Sequence, residues 1–368
     1  MTDSSLSLLV LEGDGIGPEI TAATLAVLRS LQAAFKLRFQ IRDALIGLPA
    51  LDRDGTTFSD QIESMARAAD GVILGPVSHN IYPPRDHGGL NPSAELRKRL
   101  DLYANIRPIQ TRGGVAPRCG VAFDLVIVRE NTEGFYADRS MTSGPGEFMP
   151  TPDVALAMRK VTRQASLRIA RRAFTLASVR KAHHVTAVHK ANVLRMSDGL
   201  FLECVRSVAC EFPEIRYDEQ LVDAMAALLI RDPGQFDVVV TTNMFGDILS
   251  DEASELSGSL GLAPSLNAGD THAMAQAQHG SAPDIAGKDL ANPSSLISST
   301  SMLLHWLANR RGDAHLSEAA QAIDEALEAV LADPTTRTRD CGGALGTKAF
   351  TEALIRTIGT KRSSQHRP

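Results

Sequence analysis

The chain has 368 residues, 43% of them hydrophobic and 22% charged, which is the profile of a globular protein with two domains around a substantial core. Its formal net charge of −5 leaves no basic footprint for nucleic acid. No apolar run approaches the roughly 18 residues that a membrane span needs. Four cysteines, Cys119, Cys204, Cys210 and Cys341, show neither a C-x-x-C pair nor metal-ligand spacing, so reduced thiols in a cytosolic compartment are expected. The first residues lack the basic-then-apolar order of a signal peptide, and the expected location is cytoplasmic.

In chain order, Leu6–Leu11 reads as a strand running into Gly13-Asp14-Gly15-Ile16-Gly17-Pro18-Glu19 and a helix from Pro18 to about Phe35. Glycines in the turn and proline at a first helical position suit a tight strand-to-helix corner. A dinucleotide fingerprint fails there, because its third glycine would fall at Pro18. Further strands are expected at Gly71–Gly75, Asp124–Arg129, Val185–His189 and Phe236–Thr241, and helices at Pro92–Leu102, Asp153–Ala177, Ser197–Glu211 and Leu221–Ile230. Thr142–Pro152, rich in Gly and Pro, reads as a loop or an extended arm. After Asn292 the chain reads as mostly helical (294–309, 317–332 and 346–358), and Thr360–Pro368 as an unstructured tail. Such alternation argues for an α/β protein with open, largely parallel sheets, whose functional residues sit at the carboxyl ends of strands.

Chemistry enters where polar residues interrupt these runs. After Val238-Val239-Val240, the segment Thr242-Asn243-Met244-Phe245-Gly246-Asp247-Ile248-Leu249-Ser250-Asp251 opens a helix with Asp247 and Asp251 on one face. Two such carboxylates repel unless a cation lies between them, and hard divalent ions favour oxygen ligands; the alternative is a solvated helix surface. Arg97, Arg107 and Arg129 offer guanidinium forks that suit a di- or tricarboxylate if they converge, and are surface arginines if they do not. Lys190 directly follows an apolar strand, and a tyrosine such as Tyr136 would be a matching acid for a lysine base. His279-Gly280-Ser281-Ala282-Pro283-Asp284 has small residues that let a ligand approach the backbone, with Asn292 ahead of a helix N-terminus fit for phosphate; it also reads as a plain surface loop.

Taken together and in order, the motifs resemble the isocitrate/3-isopropylmalate dehydrogenase family, the metal-dependent β-decarboxylating dehydrogenases. The motifs are Gly13–Glu19, Arg107-Pro108, Arg129–Gly134, His189–Val193, Val222-Asp223-Ala224-Met225, Gly246–Asp251 and His279–Asp284, and the likeness runs from Leu8 to the helix around Thr347–Ile355. The resemblance implies an α/β fold of two domains with open mixed sheets, distinct from a Rossmann fold. Residues 1–104 plus 263–358 would form a discontinuous cofactor-binding domain, and 105–262 a smaller domain with the dimer interface and an arm. It implies that Arg97, Arg107 and Arg129 clamp the malate carboxylates and that Asp223, Asp247 and Asp251 hold Mg²⁺ or Mn²⁺. Lys190 would assist loss of the hydroxyl proton and Tyr136 would protonate the product carbon. Lys190 and Asp223 would come from the neighbouring subunit of a homodimer.

The same resemblance places the cofactor against Ile16, Asn192 and the loop carrying His279, Gly280, Ser281, Ala282, Asp284 and Asn292. Asp284 would face the adenosine ribose, where a carboxylate accepts from a 2′-hydroxyl and repels a 2′-phosphate, so NAD is expected. Relatives using NADP tend to carry Lys-Tyr at positions 284 and 285. Isopropylmalate enzymes usually place leucines near positions 93 and 94. Here Ser93 and Ala94 make no greasy pocket, while Asn91 and Ser93 offer hydrogen bonds to a third carboxylate. An isocitrate- or homoisocitrate-like substrate is therefore expected, with 3-isopropylmalate, tartrate and D-malate as competitors. A non-catalytic regulatory subunit is the remaining alternative, set against a complete complement of site residues. One departure stands out: the family usually has Glu-Pro-x-His-Gly where this chain has Gln276-Ala277-Gln278-His279-Gly280, which removes a charge near the expected nicotinamide end.

Overall fold

The computed structural model describes residues 5–136, 141 and 146–365. The chain opens with β1 (Leu6–Leu11), α1 (Gly17–Phe35), β2 (Phe39–Asp43), α2 (Gly47–Asp54), α3 (Asp60–Ala68), β3 (Gly71–Leu74) and α4 (Pro92–Arg99). The middle holds β4 (Ala104–Gln110), β5 (Asp124–Glu130), β6 (Glu147–Thr151), β7 (Val154–Ala157), α5 (Arg163–Ala177), β8 (His184–His189), α6 (Ser197–Ala209), β9 (Arg216–Leu221), α7 (Val222–Arg231), β10 (Val238–Thr241) and α8 (Asn243–Ser257). It ends with β11 (Pro264–Ala268), β12 (Ala273–Ala277), α9 (Ser294–Arg311), α10 (Ala314–Ala332) and α11 (Thr347–Gln365).

Ten strands form one sheet in the order β2-β1-β3-β12-β11-β4-β5-β10-β8-β9, and β6 and β7 form a separate ribbon. Both wings are parallel, while β12, β11, β4 and β5 run antiparallel in the middle. The open mixed sheets expected of the fold are thus one continuous mixed sheet. Runs such as Leu125-Val126-Ile127-Val128 are buried on both faces, as helix-covered strands must be. One face carries two apolar clusters: Leu9, Leu11, Leu74, Leu96 and Met274 under α3 and α4, and Leu125, Ile127, Val239, Met225 and Leu249 under α7 and α8. On the other face, α1, α9, α10 and α11 cover one wing and α5 and α6 the other.

Local differences from the sequence reading have local causes. The helix at Pro92 stops at Arg99, and Asp101 takes a left-handed φ of 49°. Asp153–Ala177 is not one helix: β7 comes first, then Thr162 caps α5 by accepting from the Ala165 amide at 3.2 Å. Val154 and Leu156 serve the exposed ribbon rather than a helix face. Residues 137–140, residues 142–145 of the expected arm, and residues 366–368 lie outside those described. Helix α11 continues to Gln365 through most of the expected tail, since no proline interrupts it.

Candidate active site

Strand register builds a polar seam between the two apolar clusters. Ser265 pairs with Gln276, Asn267 with Asn105, and Asn105 with Arg129, so all five point to one face, joined by Arg107 two residues beyond Asn105. All six are buried. Unpaired, such groups would be costly, and the seam is a chain of hydrogen bonds instead. Arg107 Nε donates to Asn105 Oδ1 at 2.5 Å, and Asn105 Nδ2 donates to Ser265 Oγ at 2.7 Å and Asn267 Oδ1 at 3.0 Å. Asn267 Nδ2 in turn donates to Gln276 Oε1 at 3.4 Å, which also accepts from Arg97 Nη2 at 3.1 Å and Ser93 Oγ at 2.9 Å.

Helix α8 lies across this seam because residue 246 is glycine: a Cβ there would come within 2.7 Å of the Arg129 side chain. Arg129 donates to Asn243 Oδ1 from Nε at 3.0 Å and Nη2 at 2.6 Å, and its Nη1 meets Asp247. Arg107 reaches the same Asp247 oxygen at 3.1 Å, Asp251 at 3.3 Å and Ser250 Oγ at 2.6 Å. Two of the three predicted arginines therefore meet on one carboxylate, and the charge of Arg97 acts on it from farther away. Burial alone would raise the Asp247 pKa, yet the charges of Arg129, Arg107 and Arg97 hold it below the usual aspartate value. Asp251 goes the other way: burial raises it, aided by the charge of Asp247, against the hydrogen bond from Gln278 Nε2 at 2.8 Å and the pull of Arg107. Burial and the neighbouring Arg129 bring Arg107 down to about 10, so it stays protonated at neutral pH.

Lys190 and Asp223 pair with each other at 2.5 Å, and Asn192 lies exposed in the turn that follows. They do not join the Asp247–Asp251 group: among the described residues no three of His, Cys, Asp and Glu come together to hold a metal. Asp223 is thus not a third ligand within one chain. Tyr136 is half-buried at the end of the segment that follows β5. Two residues that the sequence reading missed organise this region. Asp198, with no solvent exposure, accepts from the Lys190 amide at 2.6 Å and pairs with Arg159. Arg159 also donates to Ser197 Oγ at 2.7 Å and Thr242 Oγ1 at 3.0 Å and lies over the rings of Phe135 and Phe245.

Two predicted substrate contacts have partners within the chain. Asn91 Oδ1 accepts from the Ala94 amide at 3.2 Å and caps α4, and the Ser93 hydroxyl is turned toward Gln276. Beyond the seam, the loop 279–284 packs on the β1–α1 turn. Gly15, at φ +58°, lies so close that a Cβ would strike the Ser281 carbonyl, and the Ile16 amide donates to that carbonyl at 2.8 Å. Ser281 Oγ is bound to Ser78 Oγ at 2.7 Å, Ala282 is left-handed at φ 36°, and Gly280 and Asp284 are exposed. Burial lowers the His279 pKa, so the ring is neutral; its Nδ1 lies 2.9 Å from the Gly280 carbonyl, while its Nε2 is sealed without a partner. Asn292 is occupied, donating to Asp340 at 2.9 Å and accepting from the Ser294 amide at 3.0 Å.

Comparison with known proteins fixes the family. The family model described as isocitrate/isopropylmalate dehydrogenase matches residues 7–355. The chain belongs to the isocitrate/isopropylmalate dehydrogenase family. Family members are dehydrogenases that act on hydroxy acids with decarboxylation, and they generally depend on NAD(P) and a metal. The isocitrate/homoisocitrate dehydrogenase of Thermus thermophilus is 40% identical over 352 residues, covering 95% of this chain and 98% of its own. A 3-isopropylmalate dehydrogenase from Methanothermobacter thermautotrophicus is 40% identical over 354 residues, covering 96% and 99%. The crystal structure of isocitrate dehydrogenase from Methylococcus capsulatus superposes with a TM-score of 0.85 at 37% identity, covering 96% of this chain and 99% of that one. Among the described residues of this family member, no helix is long and apolar enough to cross a membrane.

Proposed function

We propose that the protein oxidises and decarboxylates a (2R)-malate with a polar substituent on C3, isocitrate- or homoisocitrate-like, using NAD⁺ and Mg²⁺ or Mn²⁺ as a homodimer with shared sites. One observation carries this reading: Arg107 and Arg129 both bind Asp247, with Arg97 in electrostatic reach and Asp251 one turn away. Buried arginines and solvent-facing aspartates that neutralise one another are the two halves of a site for a carboxylate and a cation. The arginines suit substrate carboxylates, and the aspartates suit a hard divalent ion. The fit to a metal is supported by the oxygen donors and by the repulsion of two carboxylates on adjacent turns, which raises Asp251 further. A third carboxylate, Asp223 of a second copy, completes the donor set in this reading.

When bound, the cation supplies Lewis acidity to the C2 oxygen, and the nicotinamide supplies the hydride acceptor. The arginines orient the acid so that one face of C2 meets the cofactor. Lys190 takes the hydroxyl proton as hydride leaves C2, giving a ketone. The carboxylate on C3 then departs as CO₂, its bonding pair remaining as the enolate, and Tyr136 returns a proton to C3. Exposed Asp284 supports NAD⁺ over NADP⁺, because a 2′-phosphate would meet a negative charge there.

The test is kcat/KM on isocitrate, homoisocitrate, 3-isopropylmalate, D-malate and tartrate with Mg²⁺ and each nicotinamide, following reduced cofactor and CO₂. A tenfold lead of 3-isopropylmalate removes the polar-substituent reading, and absence of turnover by the purified protein alone favours a regulatory subunit.

A further inference from the structure

One side chain links the start of the 279–284 loop to a candidate metal ligand. Gln278 follows β12 at the position that the family pattern leaves open, and its backbone amide donates to Ser295 Oγ of α9 at 3.3 Å. Its side-chain Nε2 donates to Asp251 Oδ1 at 2.8 Å and to Ser254 Oγ at 3.0 Å. The Ser254 hydroxyl fixes which end of the amide faces α8: its proton is committed to the Ser250 carbonyl at 2.6 Å, so its oxygen can only accept. Gln278 Oε1 is thereby turned inward, sealed from solvent and without a partner. A buried acceptor left unpaired costs stability, so folding alone gives no reason for an amide here.

We propose that Gln278 is the positioning residue of Asp251, pinning one carboxylate oxygen so that the other is presented to the divalent cation. The proposal rests on the metal-dependent reading above and adds a residue to that site. Arg107 also reaches Asp251 through Oδ1, at 3.3 Å, so both donors act on one oxygen. Asp247 is held in the same way, with Arg107 and Arg129 both on its Oδ1. Among the described residues neither Oδ2 accepts a hydrogen bond, and neither is a sealed atom, so both stay open to solvent. A carboxylate with one oxygen fixed by donors cannot rotate without breaking them, and supporting hydrogen bonds of this kind orient metal ligands. Arg107 divides its charge between the two aspartates. Gln278 holds Asp251 as a neutral donor, without adding a positive charge that would compete with the cation.

The experiment titrates Mn²⁺ into the purified full-length protein, follows free Mn²⁺ by its electron paramagnetic resonance signal, and records the Tm of each metal-free variant. In Q278L the dissociation constant for Mn²⁺ is expected to rise at least about tenfold. Its metal-free Tm is expected to stay at or above that of the wild type, because the leucine removes the unpaired Oε1. S254A takes away the second acceptor of the amide and is expected to weaken Mn²⁺ binding by a smaller factor. Should Q278L fail to fold, an S254A variant with wild-type affinity overturns the role of Gln278. So does a Q278L protein whose affinity falls by less than about tenfold, or whose metal-free Tm drops along with it, while the cation reading stands. Wild-type protein that binds no Mn²⁺, or a D251N variant that binds it as tightly as the wild type, overturns both.

Discussion

Arg159 and Asp198 form an ion pair in which the aspartate has no solvent exposure and the arginine side chain only 8%. The other Asp198 oxygen holds the Lys190 amide, while Arg159 reaches the cap of α8 at Thr242 and the ring of Phe135, next to Tyr136. One guanidinium thus ties the segment of the proposed base, the residue before the proposed acid and the helix of the proposed metal ligands. Breaking a buried pair from one side costs about 3–5 kcal/mol, because a charge is left without a partner. R159M is expected to lose that much stability by denaturant unfolding, and the R159M/D198N double variant to regain part of it in a double-mutant cycle. In R159K, kcat should fall more than KM rises, since positioning rather than substrate contact is impaired.

Lys190 and Asp223 neutralise each other at the surface of their own chain, apart from Asp247 and Asp251. If they serve a second copy, two inactive variants complement one another. K190A supplies an intact Asp251, and D251N supplies an intact Lys190, so each mixed dimer has one complete site. Equal mixing after dissociation should restore about a quarter of wild-type activity by random pairing into twofold dimers. Activity that stays at the level of the separate variants removes the shared-site model.

Asp284 is exposed at the edge of the loop that packs on Ile16. D284K replaces a charge that repels a 2′-phosphate with one that attracts it. The ratio of kcat/KM for NAD⁺ over NADP⁺ is expected to drop by at least about tenfold, or roughly 1.4 kcal/mol. No change in that ratio places the ribose elsewhere.

The sequence reading caught what a period or a motif announces. Val238–Val240 followed by Asp247 and Asp251 announced a strand and a helix bearing acids on one side, and both are present. Shorter pieces escaped it: β11 and β12 contain Ser265, Asn267 and Gln276, polar residues that break an apolar run unless the seam is already known. Asn243 lay inside a quoted motif, yet only the fold shows it gripping Arg129. Arg159 and Asp198 carry no local signal, because their role comes from joining segments 39 residues apart. For Asn91 and Ser93 the polarity is visible in the sequence, but not that a helix cap and Gln276 also draw on it.

Asp247 and Asp251 sit one turn apart yet pull stability in opposite directions. Asp251 has a raised pKa in the folded chain, with burial the first cause and Asp247 adding to it. An acid shifted upward stabilises the fold only while protonated, so its contribution is present below the unfolded pKa and is lost as pH rises through the folded one. At neutral pH the metal-free protein therefore carries a cost at Asp251 that D251N removes, and its Tm should rise. Asp247 is shifted down because Arg129, Arg107 and Arg97 outweigh burial, so its contribution is present at neutral pH and fades as pH falls through the folded pKa. D247N strips two buried guanidinium groups of their counter-charge and should lower stability by about 1–3 kcal/mol, less than for a fully buried pair because Asp247 is partly in solvent. Mg²⁺ or Mn²⁺ should raise the Tm of the wild type and of neither variant to the same extent, while both variants lose activity on the order of 100-fold or more. A metal-free D251N that melts below the wild type at pH 7, or one that keeps wild-type turnover, contradicts the placement of a cation between these carboxylates.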